Sequence, residues 1–228
     1  MHISGLQKTT LLDYPGKVAC TVFLAGCNLR CPFCHNASLV VRPPEDAVTE
    51  EEFFAFLRKR KGILDGVCVT GGEPTLRPGL PGFLKKIKEL GYLVKLDTNG
   101  TNPELLKTLV SAGLVDYVAM DIKNAPSRYA EICGGADVIG PVKKSAEFLM
   151  RGSVDYEFRT TCVKPYHDIE AMEEIGGWLA GAKQYYLQKF VDSGDLIGTN
   201  VSELSKDEME QLRKAVLPFI QNTHLRGI

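Results

Sequence analysis

Short apolar runs rich in β-branched residues alternate along this chain with segments of helical period, and that alternation leaves few folds open. Candidate strands lie at 18–24, 66–70, 92–97, 116–121, 156–162 and 184–188, and candidate helices at 49–59, 81–90, 103–111, 142–150, 169–180 and 206–219. Thr49 with Glu52 three residues on, and Asn102 ahead of Pro103, mark plausible helix starts. Six strand-helix repeats predict an α/β fold on a parallel sheet, either flat and doubly wound or an incomplete barrel. In both, functional groups belong in loops after the carboxyl ends of strands. Four informative strings fall there. They are a cysteine loop at 26–36, Gly71-Gly72-Glu73-Pro74, Asp97-Thr98-Asn99-Gly100 and Asp121-Ile122-Lys123.

The cysteine loop reads Gly26-Cys27-Asn28-Leu29-Arg30-Cys31-Pro32-Phe33-Cys34-His35-Asn36. Spacings of four and three residues let a short loop set thiolates at three corners of a cube, which suits a four-iron, four-sulfur cluster. Such clusters normally take four cysteines, so three would leave one iron open for a substrate to chelate. Two other readings compete. Cys31-Pro32-Phe33-Cys34-His35 spells the attachment motif of c-type haem, and three cysteines with His35 could close a structural zinc site. Haem attachment needs export, the N-terminus shows no apolar signal run, and Cys27 would be unused. Zinc is harder to dismiss, although ligands this close in sequence crowd a tetrahedron that usually draws on two separated pairs.

The chain of 228 residues, 44% hydrophobic, is long enough to bury one substantial core, and a single domain over 1–228 is expected, with a C-terminal loop and helix at about 189–228. Lys and Arg total 27 against 28 for Asp and Glu, so no global field favours a nucleic-acid backbone. No apolar stretch reaches membrane-spanning length, and a cytoplasmic protein is expected. Cys20, Cys68, Cys133 and Cys162 are scattered singly and read as free buried thiols, Cys133 the least clearly, beside Gly134-Gly135. No second cysteine-rich motif follows, so one cluster is expected.

Gly71-Gly72-Glu73-Pro74, directly after a strand, puts backbone without side chains where a ligand could come close; a simple turn reads equally well. Neither a P-loop nor a dinucleotide fingerprint fits.

Cys-x-x-x-Cys-x-x-Cys followed by Gly-Gly-Glu-Pro resembles the radical S-adenosylmethionine (radical SAM) superfamily. Asp13-Tyr14-Pro15-Gly16, Cys34-His35-Asn36, Asp97-Thr98-Asn99-Gly100 and Asp121-Ile122-Lys123 look like the glycyl-radical-enzyme activases. The stretch Leu12-Asp13-Tyr14-Pro15-Gly16-Lys17 is nearer the activating proteins of anaerobic ribonucleoside-triphosphate reductase than those of pyruvate formate-lyase. The resemblance spans about residues 5–190 and implies a partial (β/α)6 barrel, open on one side. It also implies one 4Fe-4S cluster, S-adenosylmethionine chelating the open iron, and reductive cleavage to a 5'-deoxyadenosyl radical.

Position by position, the resemblance assigns Cys27, Cys31 and Cys34 to iron, with His35 and Asn36 beside the cofactor. Gly71, Gly72 and Glu73 would hold the methionine amino end, and Lys123 its carboxylate. Asp97, Thr98 and Asp121 match a site for a monovalent cation, and Arg159 an arginine reaching the cofactor. Asp13 matches the position that contacts the target peptide. Phe190 stands where formate-lyase activators carry a histidine, and Gln188 is the substitute expected here.

The implied activity is generation of a glycyl radical on a partner, first of all an anaerobic ribonucleoside-triphosphate reductase, with reduced flavodoxin or ferredoxin as electron donor. The alternatives are activation of a pyruvate formate-lyase type enzyme, a radical synthase acting on a small molecule such as a 7-deazapurine precursor, and a zinc-stabilised binding module. Neither nucleic acid nor membrane is an expected partner.

Overall fold

The computed structural model describes residues 1–41, 48–192 and 194–228. Eight strands among them form one sheet: β1 (Ile3–Thr10), β2 (Ala19–Leu24), β3 (Gly66–Gly71), β4 (Leu93–Thr98), β5 (Tyr117–Asp121), β6 (Asp155–Cys162), β7 (Tyr185–Lys189) and β8 (Thr223–Arg226). Their spatial order is their order in sequence. A doubly wound sheet reverses its strand order at a switch point, whereas a barrel steps always the same way, so this sheet is an open, partial barrel with β1 and β8 at its edges. β2 to β8 pair in parallel, and β1 runs antiparallel to β2 from Ile3 opposite Leu24 to Thr10 opposite Ala19.

All six expected strands are present; β1 and β8 are additions. The helices are α1 (Ala37–Val41), α2 (Glu50–Lys59), α3 (Leu80–Glu89), α4 (Pro103–Ser111), α5 (Tyr129–Ile132), α6 (Ile139–Met150), α7 (Ile169–Trp178) and α8 (Lys206–Val216). Thr49 and Glu52 close a reciprocal capping box on α2, and the Asn102 side chain accepts from Leu105 N at α4. α6 begins three residues before the expected Val142, because Pro141 sits in its first turn, where a missing N–H costs nothing. Among the described residues no helix is long and apolar enough to cross a membrane.

Side chains along each strand alternate between two environments. Val94 and Leu96 on β4, Val118 and Met120 on β5, and Tyr185 and Leu187 on β7 belong to the apolar core. The intervening residues Asp97, Asp121, Arg159, Thr161 and Gln188 line a cavity on the other face. Register decides which of these meet. Asp121 on β5 lies opposite Arg159 on β6, and Cys68 on β3 opposite Lys95 on β4.

Candidate active site

Thiols from the cysteine loop and charged groups from four strand ends surround one cavity of about 510 Å3. Gly26 opens the loop at φ +83°, a backbone conformation suited to glycine, and a Cβ there would run into the Arg77 guanidinium. The loop is then tied to the next unit, since Gly72 N donates to Leu24 O and Glu73 N to Gly26 O, both at 2.8 Å. A Cβ on Gly71 would lie 2.1 Å from Leu24 O, and one on Gly72 2.1 Å from Gly26 O. Both glycines line the cavity, but it is close passage of two chain segments that demands them.

Cys27, Cys31 and Cys34 all face the cavity. Leu29 N donates to Cys27 Sγ at 3.4 Å and Asn99 Nδ2 does so at 3.7 Å. A hydrogen bond from the buried Cys133 lowers the pKa of the Cys31 thiol, and Lys123 favours the thiolate further. Among the described residues no three His, Cys, Asp or Glu side chains gather to hold a single metal ion. A cubane asks for something different, three thiolates around one space at separate corners, and the cavity wall supplies that donor set.

His35 and Asn36 reach the same cavity. Asn36 Nδ2 donates to Gly71 O at 3.2 Å, and the His35 ring lies 5.2 Å from that of Phe190. Burial, with Lys123 close by, depresses the His35 pKa. Phe190 is fully buried, while Gln188, the polar residue expected in place of a histidine, lines the wall.

Opposite the thiols stands a linked set of charges. Arg159 Nη1 donates to Asp97 Oδ2 at 3.1 Å and Arg159 Nε to Asp121 Oδ1 at 2.9 Å. Lys123 Nζ donates to Asp121 Oδ2 at 3.0 Å, and Lys95 Nζ to Asp97 Oδ1. Burial alone would raise both carboxyls, but Arg159 with Lys95 at Asp97, and Arg159 with Lys123 at Asp121, outweigh it and hold both below the usual range. Burial would likewise lower Lys123, and Asp121 and Cys31 reverse that. Arg159 is therefore the centre of a largely buried ion network and no surface salt bridge.

Glu73, expected at the cofactor's amino end with Gly71 and Gly72, does not itself line the cavity. Its side chain is fully buried away from the cavity wall, and its carboxylate accepts from Thr75 N, Thr75 Oγ1, Thr98 Oγ1 and Asn99 N. It caps the 3-10 turn Pro74–Leu76 and pins the loop after β4. Asn99, Thr161 and Lys189 also line the cavity and were not singled out in the sequence. Asn99 was readable from Asp97-Thr98-Asn99-Gly100, and Thr161 from its position two residues past Arg159 on a strand.

Asp13 lines this cavity too, although it comes from the β1–β2 turn at the opposite, amino end of the strands. Thr21 on β2 donates its hydroxyl to Asp13 Oδ2. Cys20, Cys68 and Cys162 are buried, as expected of structural thiols, and so is Cys133.

Residues 21–178 match the family described as the Radical SAM superfamily. The chain belongs to the radical SAM superfamily. It is 32% identical over 235 residues to "Putative glycyl-radical enzyme activating enzyme MJ1227" of Methanocaldococcus jannaschii, covering 99% of this chain and 96% of that one. The 7-carboxy-7-deazaguanine synthase of Thermococcus kodakarensis is 32% identical over 136 residues, covering 51% of this chain and 53% of the synthase. The crystal structure of Streptococcus suis SuiB bound to precursor peptide SuiA superposes at a TM-score of 0.71 and 15% identity, over 91% of this chain and 48% of that one. At that identity the likeness shows the radical SAM fold.

Proposed function

We propose that this radical SAM protein is an activase. It holds one 4Fe-4S cluster on Cys27, Cys31 and Cys34, binds S-adenosylmethionine in the adjoining cavity and generates a glycyl radical on a partner enzyme. An anaerobic ribonucleoside-triphosphate reductase is the partner proposed first, with reduced flavodoxin or ferredoxin as electron source. The observation that carries the reading is the joint lining of one cavity by the three thiols, the Lys123–Asp121–Arg159 network and Asp13.

Cluster and cofactor together supply one-electron cleavage of the sulfonium and abstraction of a hydrogen atom. The chain's own groups bind and orient. Lys123 and Arg159 present positive charge suited to a carboxylate, and Asp121 fixes the direction of both. Gln188 adds a neutral polar group. Asn99 donates toward Cys27 and, through its backbone, to buried Glu73, so the loop after β4 is set against the thiols before any ligand arrives.

Asp13 offers carboxylate oxygens to the backbone amides of an entering segment from the end of the barrel away from the cysteine loop. Leu11 and Leu12, in the same turn, are 70% and 87% exposed, an apolar pair suited to touching a protein surface. The full-length match to an activating enzyme supports a protein substrate, whereas the deazaguanine synthase matches over about half of the chain.

The test incubates anaerobically reconstituted, reduced protein with S-adenosylmethionine and candidate glycyl radical enzymes. A glycine-centred doublet in the electron paramagnetic resonance spectrum is expected. Cofactor cleavage with no doublet on any candidate, together with turnover of a deazapurine precursor, would replace the activase by a small-molecule synthase.

A further inference from the structure

Asp97, Thr98 and Asp121, the residues expected to hold a monovalent cation, have their oxygens engaged by the chain itself. Asp97 accepts from Lys95 on one oxygen and Arg159 on the other, and Asp121 from Arg159 on one and Lys123 on the other. The Thr98 hydroxyl donates to Glu73 at 2.8 Å and accepts from Gly100 N at 3.1 Å. Three cations face two carboxylates in this set, a surplus of one positive charge. A metal cation placed here would have to displace an ammonium or guanidinium group and then sit among like charges in a poorly solvated space, where repulsion is strong.

Lys95 is the unusual member. It lies two residues before Asp97 on β4, which puts both side chains on one face of the strand, and it is 1% exposed. Its Nζ also contacts Cys68 Sγ at 3.8 Å. A lysine is seldom buried so fully unless paired. Asp97 is its partner, and Asp97 is also the group that Arg159 leans on from the cavity side.

We propose that Lys95 is the built-in cation of this site: its ammonium neutralises Asp97, so that the chain binds S-adenosylmethionine without a monovalent metal ion. The surplus positive charge on Arg159 and Lys123 is then directed at the cofactor's carboxylate. This inference rests on the cavity being the S-adenosylmethionine site.

The experiment measures S-adenosylmethionine affinity of the anaerobically reconstituted holoprotein by equilibrium dialysis, in potassium chloride and in choline chloride of equal ionic strength. Wild type is expected to bind within about twofold in the two salts, less than half a kcal/mol apart. Lys95→Met, which keeps the length of the side chain and removes its charge, is expected to lose about tenfold in choline and to recover most of that loss in potassium. Lys95→Arg is expected to stay indifferent to the salt. Iron content and circular dichroism confirm that each variant is folded and loaded. Severalfold tighter binding of wild type in potassium would overturn the proposal, as would a Lys95→Met protein that is weakened equally in both salts. Wild type that binds no S-adenosylmethionine in either salt would instead remove the functional reading on which the proposal stands.

Discussion

Thr98 donates its hydroxyl to Glu73 at 2.8 Å, and through that bond the loop after β4 is fastened to the loop after β3. Glu73 accepts three further hydrogen bonds, from Thr75 N, Thr75 Oγ1 and Asn99 N. Burial raises its pKa despite these donors. A buried carboxylate in such a position is expensive, and its use is to fix two loops that both border the thiols.

Glu73→Ala is accordingly expected to destabilise the protein by about 3 kcal/mol or more, since several buried donors lose their acceptor at roughly 1 kcal/mol or more each. The midpoint of urea unfolding reads this directly. A midpoint unchanged from wild type would show that water or a neighbouring group satisfies the same donors.

That role was not legible in the sequence, although the motif was. Gly-Gly-Glu-Pro announces a turn near a ligand, but the direction of the glutamate depends on the 3-10 turn at Pro74–Leu76, which carries its carboxylate inward to Thr98. Six strands were readable because their core-facing residues form short apolar runs in which β-branched and aromatic residues recur, such as Val94 and Leu96 on β4 and Tyr185 and Leu187 on β7. β1 was not, since Gln7, Lys8 and Thr9 are exposed on an edge strand, and β8 is only four residues long. The sequential strand order, which chooses the barrel over the doubly wound sheet, has no local signature at all. Lys95 was visible as a charged residue in an apolar strand two places before Asp97, yet only the register with Cys68 and the contact with Asp97 give it meaning.

The ion network predicts a defined acid response. Asp97 and Asp121 are held below the ordinary carboxyl value of 3.8, so their stabilisation is complete above that pH and declines as the pH falls through it toward the folded-state values. In urea titrations, the advantage of wild type over Asp121→Asn should be constant from neutral pH down to about pH 5 and shrink below about pH 4. An advantage that grew on acidification would reverse the sign and place these carboxyls above their ordinary value.

Lys123→Ala should weaken S-adenosylmethionine binding while the cluster still assembles, because Lys123 touches Asp121 and faces the cavity but is no iron ligand in this arrangement. Removing one partner of a desolvated charge pair commonly costs about 2 to 5 kcal/mol. Dialysis on reconstituted protein gives the affinity and iron analysis the cluster content. Unchanged affinity would take Lys123 out of the cofactor's surroundings, and lost iron would move it into the cluster's.

Asp13 separates two kinds of substrate. It reaches the cavity from the β1–β2 turn, where Thr21 holds one of its carboxylate oxygens, while the groups suited to cofactor binding all come from the other ends of the strands. If an entering protein segment is what Asp13 meets, then Asp13→Ala should keep iron content and S-adenosylmethionine affinity and still cleave the cofactor slowly without a partner, yet yield about tenfold less glycyl radical. Leu11→Ser with Leu12→Ser should raise the partner concentration needed for half-maximal activation and leave the maximum in place, because these exposed side chains can add contact area and do not line the cavity. Full radical yield from Asp13→Ala would leave the aspartate as a turn residue tied to Thr21. Loss of cofactor affinity in that variant would instead put the adenosyl end of the cofactor, and not a peptide, against Asp13.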